Sequence, residues 1–374
     1  MEGVWMGERH DLAELYVTQK SLTEWFEDIR HADAITLRQE DNEKRERLRV
    51  LHEISGLPFD APVQFSASAV SENSEDHQHF VEEHGDELCA LRLIPIDPSL
   101  PKLRMRGLSI KNVQQWFKEQ NIDAEKYRAE YMPHSENTSW STIFVINDNG
   151  VFGEIIRGRH SQLTQGLYDD HNEPITFSYD FSTWKTVPED PEAINELKKI
   201  VGYLQFSETH QIEAARLLGA DFRNSYLKGY FETSDSPEFG LWFIDYAPKM
   251  GGLIGTIHPP VSSTAKIKGQ VASSGSVQAK AVVLEQEMKA EDFPEGAVLV
   301  CEMTTPDLVP FMQKAGAIVT DQGGILSHAA IVARELGTPC IVGTRSATRH
   351  IHTGDLLKID GVKGEIVVLE KVQT

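Results

Sequence analysis

A chain of 374 residues is long enough for two or three domains at about 150 residues each, which excludes a peptide or a disulfide-stapled mini-domain. With 40% hydrophobic and 25% charged residues it has ordinary globular composition, so wholesale disorder and fibrous repeats are excluded too. A formal net charge of −21 repels nucleic acid and anionic lipid, and three cysteines (Cys89, Cys301, Cys340), none in Cys-x-x-Cys spacing, supply neither a zinc ribbon nor a disulfide framework.

No run approaches the roughly 20 apolar residues that cross a bilayer, and the first residues are charged where a signal peptide needs an apolar block. The expectation is a cytoplasmic protein with no nucleic-acid or membrane partner. In chain order, residues 1–55 read as a helical extension, with Leu22, Trp25, Phe26 and Ile29, then Leu48, Leu51 and Ile54, at helical intervals. Residues 56–250 mix strands (APVQFSA, CALRLIP, WSTIFVI, ITFSY, LWFIDY) with helices near 191–204 and 208–218, the second ending before Gly219. This is an α+β or α/β layout. Residues 251–268 are rich in Gly, Pro, Ser and Thr and read as a linker; 269–374 form a compact set of short strands and two helices, one starting at Thr305-Pro306-Asp307.

The chemistry concentrates in AIVTDQGGILSHAAIVARELGTPCIVGT, residues 317–344. The run AIVT is a buried strand, Gly323 and Gly324 make a tight turn, and a helix over about 327–336 puts His328 in its first turn. Unpaired amides and the positive dipole end favour negative charge there by a few tenths to about 1 kcal/mol. Imidazole is nucleophilic near neutrality and a glycine turn leaves room for a phosphate, so covalent phosphoryl transfer through His328 fits; a helix-capping histidine is the plainer alternative. Thr320, Asp321 and Ser327 flank it and can orient ring or phosphate, although turn and capping residues look the same.

Residues from about 269 to 368 resemble the phosphohistidine swivelling domain of the phosphoenolpyruvate-utilising enzymes. The resemblance runs through GQVASSGSVQAKAVVL, the block from PEGAVLVCEMTTPDLVPF to PCIVGT, and GDLLKIDGVKGEIVV, in the family's order. It implies a β/β/α domain in which His328, in a GG-x-x-x-HAA motif with Gly323 and Gly324, is the phosphoryl carrier. A family donor is either an ATP-grasp domain or a phosphoenolpyruvate-binding barrel; the barrel needs about 250 residues and no eightfold strand and helix alternation lies upstream.

An ATP-grasp-like domain over 56–250 is therefore expected, with ATP as donor and Mg²⁺ as cofactor. The run YFETSDSPEFGLWFIDYAP (230–248) looks like the family's last ATP-grasp strands: Glu232 matches a metal-holding Glu, Asp245 stands at a Gln position, and Ala247 replaces a phosphate-binding Arg. Two carboxylates on adjacent strands can share Mg²⁺, and surface strand residues are the alternative. Glu154, in GVFGEIIRG, is weakly similar to the glycine and glutamate turn of the same fold. For nucleotide phosphates the sequence offers Arg92, faintly like a family arginine, and Lys102, Arg104 and Arg106 by strand alternation, which a solvated β surface would also produce. His77, His79 and His84 lack zinc-site spacing and read as a solvated helix; His350 and His352 lack a third ligand.

By resemblance, ATP would phosphorylate His328 and leave AMP and phosphate, and the histidine domain would pass the group to a small-molecule acceptor, held here or on a partner subunit. A non-catalytic phosphocarrier, which Ala247 favours, and a self-contained small-molecule kinase of the antibiotic-inactivating kind are the rival expectations.

Overall fold

The computed structural model describes residues 22–97, 100, 102–120, 122–166, 172–254, 267–284 and 288–372. The chain divides into two compact units, Phe59–Asn137 and Ser21–Pro58 with Thr138–Thr374. Both are mixtures of helix and sheet. The larger unit opens with α1 (Leu22–Asp28) and α2 (Ala34–Ser55), as the helical spacing of Leu22, Trp25, Phe26, Leu48, Leu51 and Ile54 predicts, and all six are buried.

The smaller unit runs β1 (Val63–Ser66), α3 (Ala67–Glu72), α4 (Glu75–His84), β2 (Leu88–Pro95), β3 (Leu103–Ser109), α5 (Ile110–Glu119) and β4 (Tyr127–Pro133). Its strands form an antiparallel sheet in the order β1-β4-β2-β3. Leu91, Leu93, Met105, Ala129 and Tyr131 alternate into a core with Ile110, Val113, Trp116 and Phe117, the apolar stripe of α5. His77 departs from the expectation of a solvated helix. The ring is fully buried, bonded to Asn73 Oδ1 (3.0 Å) and the Tyr131 hydroxyl (2.9 Å), because α4 turns that face onto β4.

The larger unit continues with β5 (Trp140–Asn147), β6 (Gly150–Ile156), α6 (His160–Gln165), β7 (Ile175–Tyr179), β8 (Trp184–Val187), α7 (Pro191–Gly202), α8 (Glu208–Leu218), β9 (Phe222–Arg223), β10 (Tyr226–Leu227), β11 (Gly229–Ser236), β12 (Gly240–Ala247) and α9 (Pro248–Leu253). Six of these strands make an antiparallel sheet in the order β12-β11-β5-β6-β7-β8. Phe144, Phe231 and Tyr246 stack across neighbouring strands on one face, with centroids 5.2 Å apart in each pair, about 0.5–1.5 kcal/mol per pair beyond burial. The other face, with Ile143, Val145, Phe152, Ile156 and Tyr230, shares a core with α1, α2 and the C-terminal segment. Of the expected linker at 251–268, positions 255–266 lie outside the described residues; α9 covers 251–253 and a strand resumes at Ile267.

The C-terminal segment contains β13 (Ile267–Lys268), β14 (Gln270–Ser273), β15 (Ser276–Val283), β16 (Val298–Cys301), α10 (Val309–Lys314), β17 (Ala317–Thr320), α11 (His328–Glu335), β18 (Cys340–Val342), α12 (Ala347–His350), β19 (Leu356–Asp360) and β20 (Glu365–Glu370). The strand order is β13-β20-β19-β15-β16-β17-β18-β14, parallel from β15 to β18 and antiparallel elsewhere. Strands β16, β17 and β18 read as apolar runs (VLVC, AIVT, CIV) and are buried throughout because both faces are covered. Thr305-Pro306-Asp307 opens a 3₁₀ turn over Pro306–Leu308, and the α-helix starts only at Val309; the Thr305 side chain makes no capping bond.

Candidate functional site

Two constellations in the larger unit gather the candidate residues, one around His328 and one along a row of the six-stranded sheet. His328 is the first residue of α11. Ser327 caps that helix: its hydroxyl accepts the Ala330 N–H at 3.4 Å and donates to the Gly324 carbonyl at 2.9 Å. Gly323 carries φ 108°, a conformation glycine adopts without strain, and it lets the chain leave β17 and double back into the helix. Thr320 donates to the Gln322 carbonyl at 2.5 Å, while Asp321 takes the Thr344 hydroxyl at 2.8 Å and the Ala347 N–H at 2.5 Å. Thr320 and Ser327 thus bond within the turn that precedes α11, and Asp321 ties it to the segment after β18. The imidazole itself is half-buried, and the Trp25 indole of α1 meets it edge-on with centroids 6.4 Å apart.

Glu154 sits on β6 with its side chain completely buried, and its two oxygens accept the backbone N–H groups of Ile325 (3.1 Å) and Leu326 (3.2 Å), directly before the histidine helix. A Cβ at position 324 would lie 2.5 Å from Glu154 Oε2, so Gly324 is what lets the carboxylate come this close. Burial pushes the Glu154 carboxyl up to about 7, against the two backbone N–H bonds and the charge of Arg334. The expected nucleotide contact is thus engaged with the histidine loop.

Cross-strand partners share a face, and the register Asp245↔Glu232↔Ile143↔Glu154 puts all three carboxylates in one row on one face. Glu232 accepts the Tyr230 hydroxyl at 2.5 Å and lies 2.9 Å from His160 Nε2. Burial alone would raise its pKa; the charges of His160 and Lys44 and the Tyr230 hydroxyl outweigh it and hold the carboxyl well below the usual range. Lys44 Nζ bonds Asp245 Oδ2 at 2.9 Å and Asp41 at 3.1 Å. Asp245 Oδ1 is buried with no hydrogen-bond partner among the described residues.

The cations beside this pair come from α2. Arg47 Nε donates to the Tyr246 carbonyl at 3.1 Å, Arg45 donates to the Ile244 carbonyl, and Glu40 accepts the Lys249 N–H at 3.0 Å at the start of α9. Lys44 and His160 were not singled out from the sequence, and Trp25 was read there only as part of the apolar stripe of a helix. Lys44 is embedded in a charge run, EDNEKRER, that reads as a solvated helix face, and nothing local marks which of its charges turns inward.

The basic residues proposed for phosphate belong to the smaller unit. Arg92 pairs with Arg104 and with Glu130, and Ala90 with Arg106, so Arg92, Arg104 and Arg106 do share a face opposite the core residues Leu91 and Met105. Lys102 precedes β3, which starts at Leu103, so strand alternation does not apply to it. Glu130 is buried on that face, opposite Arg92, and is bonded by Arg128 at 3.0 Å, so a carboxylate lies among the arginines.

Residues 293–364 match the family model of the PEP-utilising enzyme mobile domain. His328 falls inside that matched segment. Over 98 residues the chain is 49% identical to a phosphoenolpyruvate synthase of Pyrococcus furiosus, a stretch that is 26% of this chain and 12% of that protein. Over 105 residues it is 46% identical to a protein of Bacillus subtilis called uncharacterized phosphotransferase YvkC, 28% of this chain and 13% of that one. The similarity is thus to one domain of much longer relatives.

A solution structure of Enzyme I (nEIt) aligns over 22% of this chain and 35% of that chain at 31% identity, with TM-score 0.21. The macrocyclase MdnC of Microcystis aeruginosa aligns over 64% and 60% at 14% identity, with TM-score 0.30. Both scores are too low to bear on the fold. Among the described residues no helix is long and apolar enough to cross a membrane, and no group of three or more His, Cys, Asp or Glu side chains is arranged to hold a metal ion.

Proposed function

We propose that this chain is an ATP-dependent phosphotransferase in which His328 of the mobile domain carries the phosphoryl group. The observation that carries the reading is the half-buried His328 at the start of α11, behind Gly323 and Gly324, inside the matched segment. A ring nitrogen of His328 attacks phosphorus, forming an N–P bond as the P–O bond to the leaving phosphate chain breaks. Acceptor oxygen later attacks phosphorus, the N–P bond breaks and the imidazole is regenerated. Backbone N–H groups at the helix start favour the charge on the carried group.

Donor binding is assigned to the Glu232 and Asp245 row. Both are hard oxygen donors, and the orphaned, buried Asp245 Oδ1 fits a small divalent cation there. Bound Mg²⁺ would neutralise nucleotide phosphate charge. Lys44 supplies a cation at this row, where Ala247 offers none. The acceptor, in this reading, is a small molecule presented by a partner subunit. Incubation with ATP and Mg²⁺ followed by intact-mass measurement should add one phosphoryl unit, acid-labile and absent in His328→Ala. No gain, with the chain still able to receive the group from a partner protein, would favour the phosphocarrier reading that Ala247 suggests.

A further inference from the structure

Trp25 is far from His328 in the sequence and belongs to no motif of the mobile domain, yet it lies against that imidazole. Its ring centroid is 6.4 Å from that of His328, with the planes at 77°. Only 3% of Trp25 is exposed, and its Nε1 is buried with no hydrogen-bond partner among the described residues. Buried polar groups are normally satisfied, so an orphaned indole N–H marks a place where an acceptor belongs. The contact is also fixed beyond the two rings: His31, just after α1, pairs with Glu335 at the far end of α11 at 3.0 Å. Helix α1 is thereby held along the histidine helix.

We infer that Trp25 is the phosphohistidine-binding residue of this chain: its indole N–H donates to a phosphoryl oxygen on His328, and its ring shields the N–P bond from water. The inference rests on His328 being the carrier, and it adds the group that holds the phosphoryl once it has arrived. The start of α11 contributes backbone donors, and the indole contributes a neutral one from another part of the chain, without adding a charge that would tie the phosphoryl group down against onward transfer.

The test uses potassium phosphoramidate on the full chain, which bypasses ATP and Mg²⁺. The ring nitrogen forms the N–P bond as the P–NH₂ bond breaks, and ammonia leaves with the proton. Intact mass gives the occupancy, and the difference from His328→Ala gives the share on that ring. Decay is hydrolysis: water oxygen bonds phosphorus, the N–P bond breaks, and inorganic phosphate and free imidazole result. In Trp25→Phe, which keeps an apolar ring and loses the N–H, the phosphohistidine half-life at neutral pH should fall about tenfold.

In the unsubstituted chain, the indole ¹H–¹⁵N signal that disappears in Trp25→Phe should move on phosphorylation and stay put in His328→Ala. An equal half-life in Trp25→Phe, or an indole signal indifferent to phosphorylation, overturns the inference. If ATP fails to load the chain while both phosphoramidate results hold, the donor assignment falls and Trp25 keeps its role. If phosphoramidate modifies His328 only in the urea-unfolded chain, the carrier reading and the inference fall together.

Discussion

Glu154 and Glu232 stand in one row on one face of the same sheet, with β5 between them, and both are buried, yet they carry opposite electrostatics. Glu232 is surrounded by His160, Lys44 and the Tyr230 hydroxyl and is held strongly ionised. Glu154 has two backbone N–H groups and a more distant Arg334, too little to offset burial, and its carboxyl is pushed up to about 7. Burial is common to both; the partners decide. One end of the row is a carboxylate held ionised by cationic neighbours, and the other is a clasp on the histidine loop that protonation near neutrality can alter.

The largest effect is expected at the ionised end. Glu232→Ala leaves His160 and Lys44 facing one carboxylate fewer in a buried site, and removing one member of a buried pair costs about 3–5 kcal/mol. Denaturant unfolding should show that loss, and ATP loading of His328 should vanish while phosphoramidate still modifies the ring. Unchanged stability would mean that Glu232 is not the counter-charge described.

At the other end the effect is a pH dependence. Glu154 has a folded pKa of about 7 against an ordinary 4.5, so the folded state binds the extra proton and stability falls as pH rises. The contribution is complete below the ordinary value and is lost as pH climbs through about 7, roughly 3 kcal/mol in all. Thermal unfolding from pH 5 to pH 8 should reveal it, and Glu154→Gln should flatten that component. A wild-type profile matching that of the Gln variant would contradict the assignment.

The smallest effect sharpens the clasp itself. Gly324→Ala puts a methyl group 2.5 Å from Glu154 Oε2, and the carboxylate must give up its place on the Ile325 and Leu326 amides, a loss of about 1–2 kcal/mol. In a Glu154→Ala background the same change should cost clearly less, a non-additivity that a double-mutant cycle measures. Strict additivity would separate the glycine from the glutamate.

Several parts of this structure were legible beforehand because their signals are local. The helix at 208–218 ends before Gly219 as the glycine stop predicts, and the strand-turn-helix around His328 follows from an apolar run, two glycines and a capping serine. Strand alternation put Arg104 and Arg106 on one face and failed for Lys102, which lies before the strand begins. His77 went wrong for a related reason: three histidines among acids look solvated until α4 turns one of them onto β4.

What the sequence alone determined was the identity and spacing of the groups able to do chemistry: the imidazole in its glycine-led helix, and carboxylates on neighbouring strands. The fold alone decided their company, because Lys44 reaches Asp245, Glu154 reaches the loop before His328, and Trp25 reaches the imidazole only when separated stretches of chain pack together. Periodicity reports how a segment turns, with repeats of 2 or about 3.6 residues, and is silent about which distant segment packs against it. The charge state of each carboxylate is set by those packing partners, so it could be read only from the folded chain.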